Sequence, residues 1–103
     1  MQRRRPQGKS GLFCCPCCGY ATLGGPGSYR ICHICFWEDD GQDDPYADED
    51  FGGPNRVSLT QGRINYLTIG ASDAKDKPHC RVPCESDERL RSFALEDGKI
   101  VEK

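Results

Sequence analysis

Two Cys-x-x-Cys pairs carry the chemistry open to this chain. The first lies within Cys14-Cys15-Pro16-Cys17-Cys18-Gly19-Tyr20, and the second is Cys32-His33-Ile34-Cys35, followed by Phe36-Trp37. Together they can supply four thiolates, the donor set of a tetrahedral structural zinc site. The first pair has two registers, Cys15 with Cys18 or Cys14 with Cys17. In the first register Pro16 follows the leading ligand and fixes φ, and Gly19 follows the trailing one and permits φ > 0 where the chain doubles back. In the second, Gly19 falls one position late. Turn chemistry therefore selects Cys15, Cys18, Cys32 and Cys35 as metal ligands. Thirteen residues separate Cys18 from Cys32, enough to reach around one ion. Zinc suits the set best, and four thiolates suit iron as well.

Four cysteines are left over. Cys14 and Cys17 read as buried small side chains, with free thiols beside the metal as the alternative. Cys80 and Cys84, with His79 adjacent, can be combined with Cys14 and Cys17 into a second metal site only at an untypical spacing. The string Cys15-Pro16-Cys17-Cys18 superficially matches the Cys-Pro-x-Cys of disulfide oxidoreductases. That chemistry needs the first thiol at a helix N-terminus in a βαβ setting, which the glycine-rich stretch after Tyr20 does not offer. A hydrolytic metal needs an open coordination position, and four thiolates close it.

Something must position these side chains, and the chain has little apolar material for the task. It has 103 residues, 36% hydrophobic, with a mean hydropathy of −0.70. A domain this small is marginal on packing alone, so a metal staple is expected. The basic start Met1-Gln2-Arg3-Arg4-Arg5-Pro6 is followed by polar residues rather than an apolar run, and no stretch approaches membrane-spanning length. The expectation is a cytoplasmic protein with reduced thiols and no membrane partner.

Residues 1–11 are expected as a disordered basic arm, and 12–84 as the metal-stapled domain. Two β-hairpin knuckles, each with one cysteine pair at its tip, would flank the turn Leu23-Gly24-Gly25-Pro26-Gly27-Ser28. Residues 38–50 hold eight carboxylates and no Lys or Arg. With a net charge of −2 overall and −8 here, the remainder carries +6. The default for this segment is a solvated loop, the alternatives a basic partner or a hard cation. An EF-hand is excluded, because the acidic residue required five positions before Gly41 or Gly52 falls on Phe36 or Ala47.

A helix is expected near 58–69. Ser58 is its N-cap, Gln61 completes a capping box, Leu59, Tyr66, Leu67 and Ile69 form the apolar face, and Gly70 stops it. Gly62 inside it costs about 1 kcal/mol relative to Ala. Residues 85–103 are expected as an irregular tail with a short helix from Ser86, burying Leu90, Phe93 and Ala94. The fold class is thus a small metal-stapled α+β domain: a zinc ribbon followed by one amphipathic helix and a tail.

Cys15-Pro16-Cys17-Cys18-Gly19-Tyr20, with Ile31-Cys32-His33-Ile34-Cys35-Phe36-Trp37-Glu38-Asp39-Asp40, resembles the bacterial cysteine-rich CPCC family. The resemblance continues at Gly52-Gly53-Pro54-Asn55-Arg56-Val57-Ser58-Leu59, at Asn65-Tyr66 before Gly70-Ala71, and loosely at Arg81-Val82-Pro83. His33 stands where that family often has Pro, and Gly62 where it often has Ala. The family is similar to small zinc-ribbon proteins and carries no established activity, so the resemblance implies a metal and a fold but no reaction. Three roles compete. The first is a protein-interaction module that presents Phe36, Trp37 and the acidic loop. The second is a nucleic-acid-binding ribbon using Arg3, Arg4, Arg5, Lys9 and Arg30, against which stand the pI of 5.6 and the carboxylate block. The third is a thiol redox protein using the clustered cysteines.

Overall fold

A computed structural model describes residues 5–25, 27–50 and 53–103. Arg3 and Arg4 of the basic arm, Pro26 of the central turn and Gly52 lie outside the described residues. The first knuckle grows from a short antiparallel hairpin of β1 (Phe13–Cys14) and β2 (Ala21–Leu23), whose register shifts between Phe13 and Cys14. The expected second hairpin is reduced to one bridge, Ile31 opposite Glu38, extended by mutual main-chain bonds of Tyr29 and Arg30 with Asp39. A second two-stranded sheet exists, but elsewhere. It pairs β3 (Phe93–Glu96) with β4 (Lys99–Glu102). The molecule is thus a small α+β domain with two antiparallel hairpins and a cysteine cluster.

Helix α1 (Leu59–Ile69) starts and stops where the caps place it. The Ser58 hydroxyl accepts the Gln61 N–H at 3.1 Å, and Gly70 takes a left-handed φ of 81° while its N–H bonds Tyr66 O. The capping box is only half made, because the Gln61 amide turns forward to Asn65 instead of back to Ser58.

The buried face of α1 is the expected one only in part, with Tyr66 packed half-buried against the core. Leu59 is buried, but Leu67 is 36% exposed, and the fully inward positions between them are Gly62 and Arg63. Gly62 lets the helix lie directly on the core. A Cβ there would sit 3.1 Å from Trp37 Cζ3 and 3.3 Å from Cys17 Sγ. Arg63 reaches inward because the core offers it partners. Its Nε donates to Pro16 O at 2.7 Å, Nη2 donates to Asp44 at 2.7 Å, and its plane lies 4.4 Å over the Phe93 ring. A branched side chain at position 62 has nowhere to go. Gly62→Val should cost about 1–3 kcal/mol through overpacking while leaving metal content unchanged, as a urea melt paired with metal analysis would measure.

Residues 5–11 are tied down, which corrects the disordered arm for that stretch. Cys14 N–H bonds Pro6 O, Gly8 N–H bonds Leu12 O, and Gln7 bridges Phe13. The Arg5 guanidinium is buried against Asp39 and Asp43, at 2.8 Å each, and donates to Gln42 O at 3.2 Å. The tail is corrected as well. Residues 86–89 form no helix. Leu90 and Arg91 donate to Gly19 O, and the chain then enters β3. Asp97 and Gly98, with φ of 52° and 76°, make the two-residue hairpin turn.

The acidic segment is not a solvated loop throughout. Asp39, Gln42 and Asp43 are buried, and the short 3-10 turn Asp44–Tyr46 is held between two arginines. Arg91 bridges Asp44 and Glu102 at 2.9 and 2.8 Å. Partial burial raises the Asp44 pKa, but the guanidiniums of Arg63 and Arg91 outweigh it and hold the carboxyl below its ordinary range. A depressed carboxyl contributes stability that is present above its unfolded pKa of about 4 and fades as pH falls through the folded value. Asp44→Asn should therefore flatten the acid limb of the stability-against-pH curve, read by urea midpoints at constant metal.

Candidate metal centre

The two knuckles are copies of one backbone device. Cys15 N–H bonds Tyr20 O and Gly19 N–H bonds Cys15 O; likewise Cys32 N–H bonds Trp37 O and Phe36 N–H bonds Cys32 O, all at 2.8–2.9 Å. The residue after each trailing cysteine has positive φ, 88° at Gly19 and 67° at Phe36. Glycine meets this demand freely, whereas Phe36 adopts it against its own steric preference. The Phe36 ring stacks on His79 at 4.9 Å and 28°, which anchors the strained residue.

These devices bring Cys15, Cys18, Cys32 and Cys35 together. Their four Sγ atoms all lie within 4.8 Å of one another, and all four residues are buried. Cys15 and Cys35 are 3.7 Å apart at sulfur, as are Cys18 and Cys32. A tetrahedron with metal–sulfur bonds of about 2.3 Å has edges of about 3.8 Å, so the corner fits a four-thiolate metal ion. The Thr22 hydroxyl donates to Cys32 Sγ at 3.1 Å, a bond that orients and softens this ligand's charge. Burial opposes ionisation at every one of the four. At Cys15, Cys18 and Cys35 it prevails and the thiol pKa rises. At Cys32 the donors Cys15, Cys18, Cys35 and Thr22 overcome it, and the pKa falls well below the ordinary thiol value. A divalent cation held among the four sulfurs would supply the charge that lets all four ionise. Cys₄ clustering of this kind can hold a metal ion.

Of the remaining cysteines, Cys17 lies against the cluster, its side chain hydrogen-bonded to Cys35, and the other three are not among the four. Cys14 is buried and donates to Cys15 O at 3.4 Å, and burial pushes its pKa up to about 12. Cys17 is buried beneath Gly62. Half-buried Cys80 donates to Asp76 O, and exposed Cys84 lies 3.0 Å from Ser86 Oγ. Among the described residues the one potential metal-ligand group is the first four. Cys14→Ser and Cys17→Ser should each retain full metal content by elemental analysis; loss of metal in either would mean that the spare thiols take part in binding.

Trp37 is not a surface anchor. It is fully buried at the centre of the core, and its indole N–H finds no acceptor among the described residues. The acidic loop has also spent much of its charge internally, on Arg5, Arg63 and Arg91. Sequence reasoning missed these three arginines as structural partners, because each pairs with a carboxylate far along the chain. Among the described residues no helix is long and apolar enough to cross a membrane.

No curated protein and no solved structure matches the chain. A family model described as Cysteine-rich CPCC matches residues 13–87, a span that holds both knuckles, the acidic segment and α1. With four clustered thiols at the heart of the matched region, the chain belongs to the cysteine-rich CPCC family.

Proposed function

We propose that Cys15, Cys18, Cys32 and Cys35 hold one zinc ion as a structural staple in a zinc-ribbon-like domain, and that the domain is a protein-interaction module of the cytoplasm, where thiols stay reduced. The observation that carries this reading is the closed corner of four buried sulfurs at tetrahedral spacing. Four thiolates saturate the ion, leave no position for a substrate and make its binding energy part of the folding energy. The nucleic-acid alternative is weakened because Arg5, one of its expected phosphate contacts, is buried against two carboxylates.

The test is affinity capture from the producing cell, with metal-loaded chain beside a Cys32→Ser control. A protein retained by the metal-loaded chain alone is the expected result. Retention of the same proteins by both, or recovery of nucleic acid in place of protein, would overturn the interaction-module reading.

A further inference from the structure

The four sulfurs of the corner are not held alike. Cys32 opens the second knuckle, whose regular pairing is the single bridge of Ile31 with Glu38. Among the described residues it is also the one sulfur of the four that accepts a hydrogen bond from a side chain other than cysteine. The donor is Thr22, ten positions earlier in β2 of the first hairpin, with its hydroxyl 3.1 Å from Cys32 Sγ.

Threonine is an odd choice for that place. All three residues of β2 are buried, and Thr22 stands between the apolar Ala21 and Leu23. Valine has nearly the same shape, suits a strand equally well and carries no polar atom. Thr22 is 9% exposed, and its hydroxyl has no partner except Cys32 among the described residues. A buried hydroxyl costs stability unless it is hydrogen-bonded, and a bond to a charged acceptor returns more than a bond to a neutral one. The hydroxyl is therefore best used when Cys32 is a thiolate, which is the form that ligates a metal. Branching at Cβ restricts χ1, so the O–H group is aimed at the sulfur before any ion arrives. A divalent ion among four thiolates also leaves two negative charges in a buried corner, and buried charge needs donors.

We propose that Thr22 is a positioning residue of the metal centre: its hydroxyl holds Cys32 in the ligating pose, takes up part of the thiolate charge and latches the second knuckle onto β2, so that metal retention depends on this O–H group. Thr22 acts through Cys32 and is not itself a ligand. The proposal rests on the metal-staple reading and adds a determinant of affinity outside the four cysteines.

The test uses the full-length chain as wild type, Thr22→Val and Thr22→Ser, loaded with zinc for chelator competition and with cobalt(II) for spectroscopy. Thr22→Val keeps the shape and deletes the donor. It should weaken zinc binding by about 10–100-fold and shift the sulfur-to-cobalt charge-transfer bands. Thr22→Ser keeps the donor and should restore the wild-type bands and most of the affinity. A packing role alone would leave the bands in place and would penalise serine, which lacks the methyl group, more than valine. Wild-type affinity and bands in Thr22→Val, or a larger loss in Thr22→Ser than in Thr22→Val, would each overturn the proposal. A measurement on the wild type alone decides the matter should Thr22→Val fail to fold. In the cadmium-loaded chain the Thr22 hydroxyl proton should exchange slowly and show scalar coupling to the metal nucleus through the hydrogen bond, and fast exchange without coupling would overturn the proposal too. A wild-type chain that holds no metal removes the staple and this proposal together, whereas a loaded Thr22→Val that matches the wild type removes the role of Thr22 and leaves the staple.

Discussion

Cys32→Ser is expected to abolish the folded domain. Cys32 is the thiol that the corner ionises most readily, and it receives bonds from Thr22 and its three companions. Serine at this position supplies a poor ligand for zinc and leaves three thiols crowded in a dry core. Structural zinc in small sites contributes about 10–16 kcal/mol of apparent binding energy near neutral pH, comparable to or larger than the whole stability of a domain this size, about 5–15 kcal/mol. The regular pairing that holds the knuckles is short, since the second has one bridge extended by two main-chain bonds and the first is a hairpin of two- and three-residue strands. Loss of metal, loss of the near-UV dichroism of buried Trp37 and loss of cooperative melting should appear together. Cys18→Ser should behave alike. A soluble double variant with an unchanged melting temperature would show that the metal is not the staple.

Gly19→Ala should be the most damaging change outside the ligands. Gly19 has φ of 88°, and a Cβ there would sit 2.1 Å from the main-chain oxygen of Arg91. The obstacle is backbone, so no side-chain rotation relieves it. Gly19 O also receives the N–H groups of Leu90 and Arg91, and Tyr20 bridges Arg89, so this contact joins the knuckle to residues 89–103. Left-handed strain of about 1–2 kcal/mol and overpacking of about 1–3 kcal/mol sum to about 2–5 kcal/mol. At about 4–8 °C per kcal/mol the melting temperature should drop by about 8 °C or more. Gly11→Ala is the control. Gly11 has φ of 91° but a Cβ there meets nothing within 4 Å, so it should carry the strain alone. Equal losses in the two variants would contradict the role given to the Arg91 contact.

What could be read along the chain was the chemistry that neighbouring residues dictate. Pro16 and Gly19 around Cys15 and Cys18 mark the knuckle, and Gly19 has the positive φ that the turn requires. Ser58 and Gly70 mark the ends of α1 because capping is local. What could not be read depends on residues distant in sequence. Arg5 pairs with Asp39 34 positions away, and Arg91 with Asp44 47 positions away. A count of carboxylates in residues 38–50 says nothing of either, and so the segment looked like a solvated loop. The inward turn of α1 was hidden similarly. Periodicity favours Leu67 over Gly62 and Arg63, but the groups that receive them, Trp37, Pro16 and Asp44, come from other elements. The C-terminal hairpin was legible and overlooked: Asp97-Gly98 between Leu95-Glu96 and Lys99-Ile100 is a hairpin signal, outweighed by a helix-like cap at Ser86.

The central claim, a closed structural site of four thiolates, is tested most directly by metal identity and stoichiometry on anaerobically purified protein, with a count of reactive thiols in the native state. The account predicts one zinc per chain and no more than four reactive thiols out of eight cysteines. Two metals per chain, or a metal-free chain with paired disulfides, would contradict it.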